Sequence, residues 1–322
     1  MRGTIVVLLL LYAAGATAAG SHWLPRASWA LRAPRTAIAT WQAATLSIVA
    51  SVVAAGVILA VPCLPCTLTA AAFRSCLAGM RAQYLTPQGT LAAGVGSLLV
   101  LTVLGRIAWC TAAALAGARR RRARHDEVLT MIARPGPAGV RVIDDDQPAV
   151  YCLPGRRRIV LTTGALRCLE DRQLEAVVAH ERAHLAGRHH LLLTFASALQ
   201  TAFPVVRFFA LAATQVGDLV EVAADDAATR REHRLTLAGA LLAVAAAGTP
   251  AGALGAGGTA AAQRIRRLID PPRRPSRAQW ALTSVTLATV SLLALAAPAV
   301  ALITILHCPG GYFMSGQFAL AW

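Results

Sequence analysis

Four apolar stretches and one polar stretch divide the chain. Residues 4–20, 37–62, 91–110 and 280–306 are each apolar over close to the roughly 20 residues that a bilayer crossing needs, so each predicts a membrane-spanning helix. The third carries Arg106 and Trp109 near its end, where an arginine can snorkel and an indole suits the interface. The fourth contains Pro298. Between the third and fourth lies a polar segment, about 118–278, patterned like a folded domain. Ala149–Leu153 and Arg157–Thr162 alternate around Pro154-Gly155 and predict a hairpin of two short strands, preceded by a turn at Asp144-Asp145-Asp146-Gln147-Pro148. A helix follows, with Asp171 as its N-cap, Gly187 as its stop, and Leu174, Val177 and Val178 as its core face.

Composition agrees with a membrane protein. Of 322 residues, 56% are hydrophobic and only 14% charged, with a mean hydropathy of +0.56. The net charge of +16 invites a nucleic-acid reading, but its distribution opposes one. All fifteen Asp and Glu lie between Asp126 and Asp270, in the central polar segment alone. The arginines cluster beside the spans, where anionic lipid heads neutralise them, and no nucleic-acid partner is expected. Arg26, Arg32 and Arg35, then Arg119–Arg122 and Arg124, then Arg264, Arg266, Arg267, Arg273, Arg274 and Arg277 can all lie on one side. Under the positive-inside rule that side is the cytoplasm. The opposite side then receives only Arg2, Arg74 and Arg81. A cleaved signal peptide ending at Ala16-Thr17-Ala18 is the rival reading of the first span, but it would export the run of arginines after residue 118. Cys63 and Cys66 form an isolated C-x-x-C pair and no zinc pattern. With Cys76 and Cys308 they fall on the outer side, where either disulfides or free thiols fit.

The chemistry concentrates in Val177-Val178-Ala179-His180-Glu181-Arg182-Ala183-His184. Two histidines four apart share one helical face and can reach one metal ion. Glu181 is turned about 100° from His180, where it can touch metal-bound water without being a ligand. A zinc site needs a third protein ligand, for which Glu221 is the candidate. Asp225, one turn further along the same helix face, can accept a hydrogen bond from a ligand histidine. Asp226 faces elsewhere, toward solvent. His189 and His190 fall on the wrong phase to be ligands. His233 and Arg230 are candidates for oxyanion stabilisation, against the alternative of ordinary helix-face charges. If Glu221 meets His180, then residues 191–217, apolar but interrupted by Pro204 and Arg207, are too few to cross a bilayer twice. They are expected as core helix dipping toward the inner leaflet.

The run Pro154-Gly155, Ile159-Val160-Leu161-Thr162-Thr163-Gly164-Ala165-Leu166, the His180–His184 motif with Arg188-His189, Glu221-x-x-x-Asp225 and Arg264-Ile265-Arg266-Arg267-Leu268 together resemble integral-membrane gluzincins. The BlaR/MecR-type metallopeptidases are most similar, with the HtpX and CAAX-protease-like group next. The resemblance covers roughly 118–275. It implies zinc held by His180, His184 and Glu221, Glu181 as base, Asp225 behind the ligands, and an extended polypeptide substrate. That substrate would pair with the strand edge at Val150, Tyr151, Cys152 and Leu153. BlaR/MecR receptors carry a penicillin-binding sensor domain after the last span; only His307–Trp322 follow here, so sensing by such a domain is not expected.

The expected architecture is therefore mainly α: a multi-span helical membrane protein with a cytoplasmic, gluzincin-like α+β metallopeptidase domain carrying a small hairpin or sheet. Residues 1–117 form a three-span region, 118–278 the peptidase domain, and 279–322 a fourth span and short outer tail. The expected function is a membrane-bound zinc endopeptidase acting on a transcriptional repressor in the cytoplasm or on damaged membrane proteins. A receptor or scaffold on the same fold is the alternative, which the intact Glu181 opposes. A transporter is disfavoured because no Asp or Glu lies in the spans. An intramembrane protease is disfavoured because the histidine motif lies outside them.

Overall fold

The computed structural model describes residues 2–61, 84–136, 139–154, 158–230, 232–248 and 257–271, with isolated positions between 74 and 82 and Val285. The fourth expected span, Cys63, Cys66, Cys76 and Cys308, and the turn at 155–157 lie outside the described residues. The chain divides into two compact units, one taking in residues 2–20 and 42–106 and the other 21–41 and 107–271.

Three described helices are long and apolar enough to cross a membrane. They are α1 (Arg2–Trp23), α2 (Pro34–Ala60) and α3 (Pro87–Ile132). In the first unit α1 packs on α2 through Val6 and Leu9 against Ala54, Ala55 and Ile58. Two buried serines of α2 are satisfied internally, as a lipid surround requires: Ser51 Oγ donates to the Ser47 carbonyl at 2.8 Å, and Ser47 Oγ meets the Tyr12 hydroxyl at 3.0 Å. Where α2 and α3 cross, Gly56 and Gly96 face each other. A Cβ on Gly96 would strike the Gly56 carbonyl, so the absence of side chains permits this close backbone approach. Leu91, Val95, Leu98, Leu101 and Trp109 stand exposed along α3, as on a lipid-facing helix. α3 runs for 46 residues, about 69 Å at 1.5 Å per residue. The apolar 91–110 segment is thus only part of a longer helix that continues through the arginine run to Asp126 and Leu129.

The second unit holds a four-stranded mixed sheet in the order β1-β2-β4-β3. Its strands are β1 (Arg134–Pro135), β2 (Arg141–Ile143), β3 (Val150–Leu153) and β4 (Arg158–Thr162). β3 and β4 pair antiparallel, with Tyr151 opposite Val160 and Cys152 opposite Ile159, which is the hairpin the alternation predicts. β2 runs parallel to β4, and β1 antiparallel to β2. Strands of two and three residues carry no readable period, so the sequence did not announce them. β3 lies at an edge. The two faces of the hairpin separate cleanly. Ile159, Leu161, Val150 and Cys152 join the core beneath the helices, whereas Val160, Leu153 and Tyr151 pack with Leu129 of α3.

The helices are α4 (Thr163–Cys168), α5 (Asp171–Ala186), α6 (His189–Ala202), α7 (Arg207–Ala228), α8 (Arg234–Gly248) and α9 (Gly257–Ile269). α5 is capped one residue earlier than its sequence suggests. Glu170, not Asp171, is the N-cap; its N–H donates to Gln173 Oε1 at 3.1 Å, and Asp171 sits in the first turn against the positive helix end. Gly187 ends the helix, as expected. Val177 and Val178 are buried against the sheet with Leu174 beside them; full burial of such side chains is worth about 1.5–3 kcal/mol each. The apolar stretch 191–217 is not one helix. Phe203–Val206 breaks it into α6 and α7 at Pro204, and α7 buries Phe208, Phe209, Val216, Leu219 and Val220. α5 and α6 both pack against α7, which brings residue 221 beside residue 180.

Candidate metal centre

α5 and α7 each turn one face toward the other. On α5 that face carries His180 and His184; on α7 it carries Glu221 and Asp225. His180 and His184 point their Nε2 atoms at one another, 3.0 Å apart. Glu221 closes the triangle, Oε2 lying 3.5 Å from His180 Nε2 and Oε1 3.4 Å from His184 Nε2. Two ligands held about 2.0–2.1 Å from a tetrahedral zinc lie ~3.3 Å from each other. The histidine pair and the two Glu221 contacts, one from each carboxylate oxygen, lie near that spacing, and one donor atom from each residue falls within 4.8 Å of the others, so the donor set fits zinc in type. These three residues form a group able to hold a metal ion.

The electrostatics keep Glu221 ionised. Burial alone would raise the Glu221 pKa, yet His180, His184 and Arg264 outweigh it and hold the carboxyl well below the usual range. Burial opposes protonation of His180, but Asp225 and Glu221 push its pKa up to about 9. Asp225 is 1% exposed, with Oδ1 3.0 Å from His180 Nδ1, a contact lying off the straight N–H line. Asp225 therefore stands behind the imidazole whose other nitrogen faces the donor triangle.

Glu181 projects from α5 toward the hairpin. Its charge acts on the Cys152 thiol of β3, against which α5 packs. Burial, together with the negative charges of Glu181 and Glu221, pushes that thiol up to about 12. Cys152 is thus the β3 residue that faces the site, and Tyr151, its neighbour, turns to the opposite side, where its hydroxyl meets His125 Nε2 at 2.7 Å.

Sequence reasoning gave Arg264 and Arg267 no role beside the site. Arg264 of α9 donates through Nε and Nη2 to the two oxygens of Asp225, both at 2.8 Å, and its Nη1 lies 2.9 Å from Glu221 Oε2. Arg230 is instead exposed beyond α7, and exposed His233 accepts from the Leu235 N–H at 3.3 Å, at the start of α8. Among the described contacts neither joins the donor cluster. Asp226, expected in solvent, is gripped by Arg267 at 2.8 and 3.0 Å, and Arg267 also donates to the Leu31 carbonyl at 3.0 Å. The available signal was the spacing of Arg264 and Arg267, one turn apart beside buried Leu268, against the consecutive Asp225 and Asp226. His189 lies buried against His184; burial and the neighbouring histidine lower its pKa to about 4.

Comparison with known proteins agrees with this geometry. Residues 116–254 match Peptidase family M48. Curated proteins described as Protease HtpX homologues, from Burkholderia mallei (strain SAVP1) and Burkholderia pseudomallei (strain 668), are 33% identical to this chain over 88 residues. The match covers 26% of this chain and about 30% of the length of those relatives. No solved structure matches.

Proposed function

We propose that this protein is a membrane-bound zinc endopeptidase that cleaves a polypeptide at the cytoplasmic face. One observation carries the reading: His180, His184 and Glu221 converge to zinc spacing with Glu181 beside them and an edge strand alongside. The likeness of residues 116–254 to Peptidase family M48 supports it. We divide the chain as the hydropathy does, into a membrane region at 1–117, the peptidase domain at 118–278 and a fourth span from 279.

His180, His184 and Glu221 would hold the zinc. Bound there, the ion would supply Lewis acidity, lowering the pKa of water and polarising a carbonyl. Glu181 takes a proton from the attacking water and returns it to the departing amine, a role open to a carboxylate placed beside the ligands. Asp225 orients His180, and Arg264 holds Asp225 and Glu221 in place. The free edge of β3, from Val150 through Tyr151 and Cys152 to Leu153, pairs the substrate backbone as an added strand, which presents an extended peptide to Glu181.

The curated matches carry the HtpX name, which favours that side of the resemblance. Its implied substrates are damaged membrane proteins; a BlaR/MecR-type enzyme would instead cut a transcriptional repressor. The test is zinc content and cleavage of casein, or self-cleavage, by the full-length protein in detergent, wild type against Glu181→Gln. Zinc in both and cleavage only by wild type is the expected result. Full activity of Glu181→Gln would exclude this mechanism.

A further inference from the structure

We propose that His189 is the positioning residue of the second zinc ligand: its Nδ1 accepts the Nδ1–H of His184 and so commits His184 Nε2 to the metal. The inference rests on the zinc reading above and extends it to a residue outside the three donors and the base.

The two nitrogens are 3.0 Å apart and the rings meet edge to face, with centroids 4.9 Å apart and planes at 88°. An imidazole that offers Nε2 to a metal carries its proton on Nδ1, and that proton needs an acceptor in a buried site. For His180 the acceptor is Asp225. At His184 Nδ1 no carboxylate is found among the described contacts, and His189 fills the place. A histidine can do so as a neutral base with its own proton on Nε2.

The local fold is shaped to make this contact. On one continuous helix, positions 184 and 189 would stand about 140° apart and could not touch. The break between α5 and α6 removes that obstacle. Arg188 takes the left-handed conformation, φ 48° and ψ 37°, a rare and strained backbone for a residue with a side chain. The reversal swings His189, the first residue of α6, back over the last turn of α5. Its ring then lies where a Cβ on Gly187 would be, so a side chain at 187 would displace the His189 ring. The same geometry keeps His189 from being a fourth ligand, because its Nδ1 is aimed at the far side of the His184 ring.

Two substitutions separate hydrogen bonding from packing. Phe fills the ring's volume without an acceptor. Asn fills less volume but keeps an oxygen near the Nδ1 position. Zinc affinity of the full-length protein is measured by chelator competition for wild type, His189→Phe and His189→Asn, alongside the absorption spectrum of the cobalt-substituted forms. His189→Phe is expected to weaken zinc binding by about 10- to 100-fold, as loss of a partner behind a ligand does. His189→Asn is expected to stay within a few-fold of wild type, with its cobalt spectrum unchanged. Wild-type affinity in His189→Phe, or a weaker affinity in Asn than in Phe, would overturn the proposal. A cobalt spectrum altered in His189→Asn would make His189 a ligand and overturn it too. Absence of zinc from the wild type would instead remove the metal reading itself.

Discussion

Arg264 holds both carboxylate oxygens of Asp225, through Nε and Nη2, at 2.8 Å each. The two residues are 39 positions apart, on α9 and α7, and Asp225 is 1% exposed. The pair thus fastens a short amphipathic helix onto the back of the candidate metal centre.

Removing one member of such a pair leaves a buried charge without its partner. Arg264→Gln should destabilise the peptidase domain by about 3–5 kcal/mol. Adding Asp225→Asn should recover part of that loss, because the orphaned charge is gone. Chemical unfolding of both variants reads this; equal stability of Arg264→Gln and wild type would show that α9 does not secure the site.

The donor triangle separates ligands from base. His180→Ala, His184→Ala and Glu221→Ala should each lose bound zinc and activity together. Glu181→Gln should keep zinc and lose at least roughly 100-fold in turnover. Asp225→Asn should weaken zinc by about 10- to 100-fold. Metal analysis beside a proteolysis assay decides each case, and undiminished zinc in Glu221→Ala would remove it from the ligand set.

Cys152 provides a pH prediction. Burial and the charges of Glu181 and Glu221 push its thiol up to about 12, so at pH 8 it is almost wholly protonated and a poor nucleophile. Alkylation should therefore be more than about tenfold slower in the folded protein than in the unfolded chain, whose thiol titrates near 8.5. The rate should rise with pH well beyond 9. Glu181→Gln removes one of the charges that raise the pKa, so alkylation at pH 8 should accelerate. Mass spectrometry of Cys152 against time measures both, and equal rates in the folded and unfolded protein would show that Cys152 does not face Glu181.

Orientation in the membrane has its own test. On the topology proposed from the arginine asymmetry, residues 118–278 face the cytoplasm. A reporter that works only in the cytoplasm should be active when fused after Gly164, and one that works only after export should be silent there. Activity of the exported reporter would reverse the topology.

Much of this protein is written locally. A bilayer needs a long unbroken apolar run and a helix-borne metal pair needs two histidines one turn apart; both are short-range patterns. The three long apolar helices that cover 4–20, most of 37–62 and 91–110, the β3–β4 hairpin, the stop at Gly187 and the face shared by His180 and His184 were therefore legible from the residues. So was the spacing of Glu221 and Asp225, because both lie on one turn of a helix. What depends on distant segments was not legible. Strands β1 and β2 are too short to carry a period and exist only because β4 offers a paired edge. Arg264 meets Asp225 across 39 residues, a choice made by how α9 packs and not by any neighbour in sequence. Asp226 looked like a solvated charge until Arg267 reached it. His189 was set aside on helical phase, a correct argument for a continuous helix. The left-handed turn at Arg188 breaks that helix and carries the ring back onto His184. Sequence fixes which groups a helix turn presents; only the tertiary structure decides which buried charge or proton finds its partner, since that partner comes from whichever element packs against it.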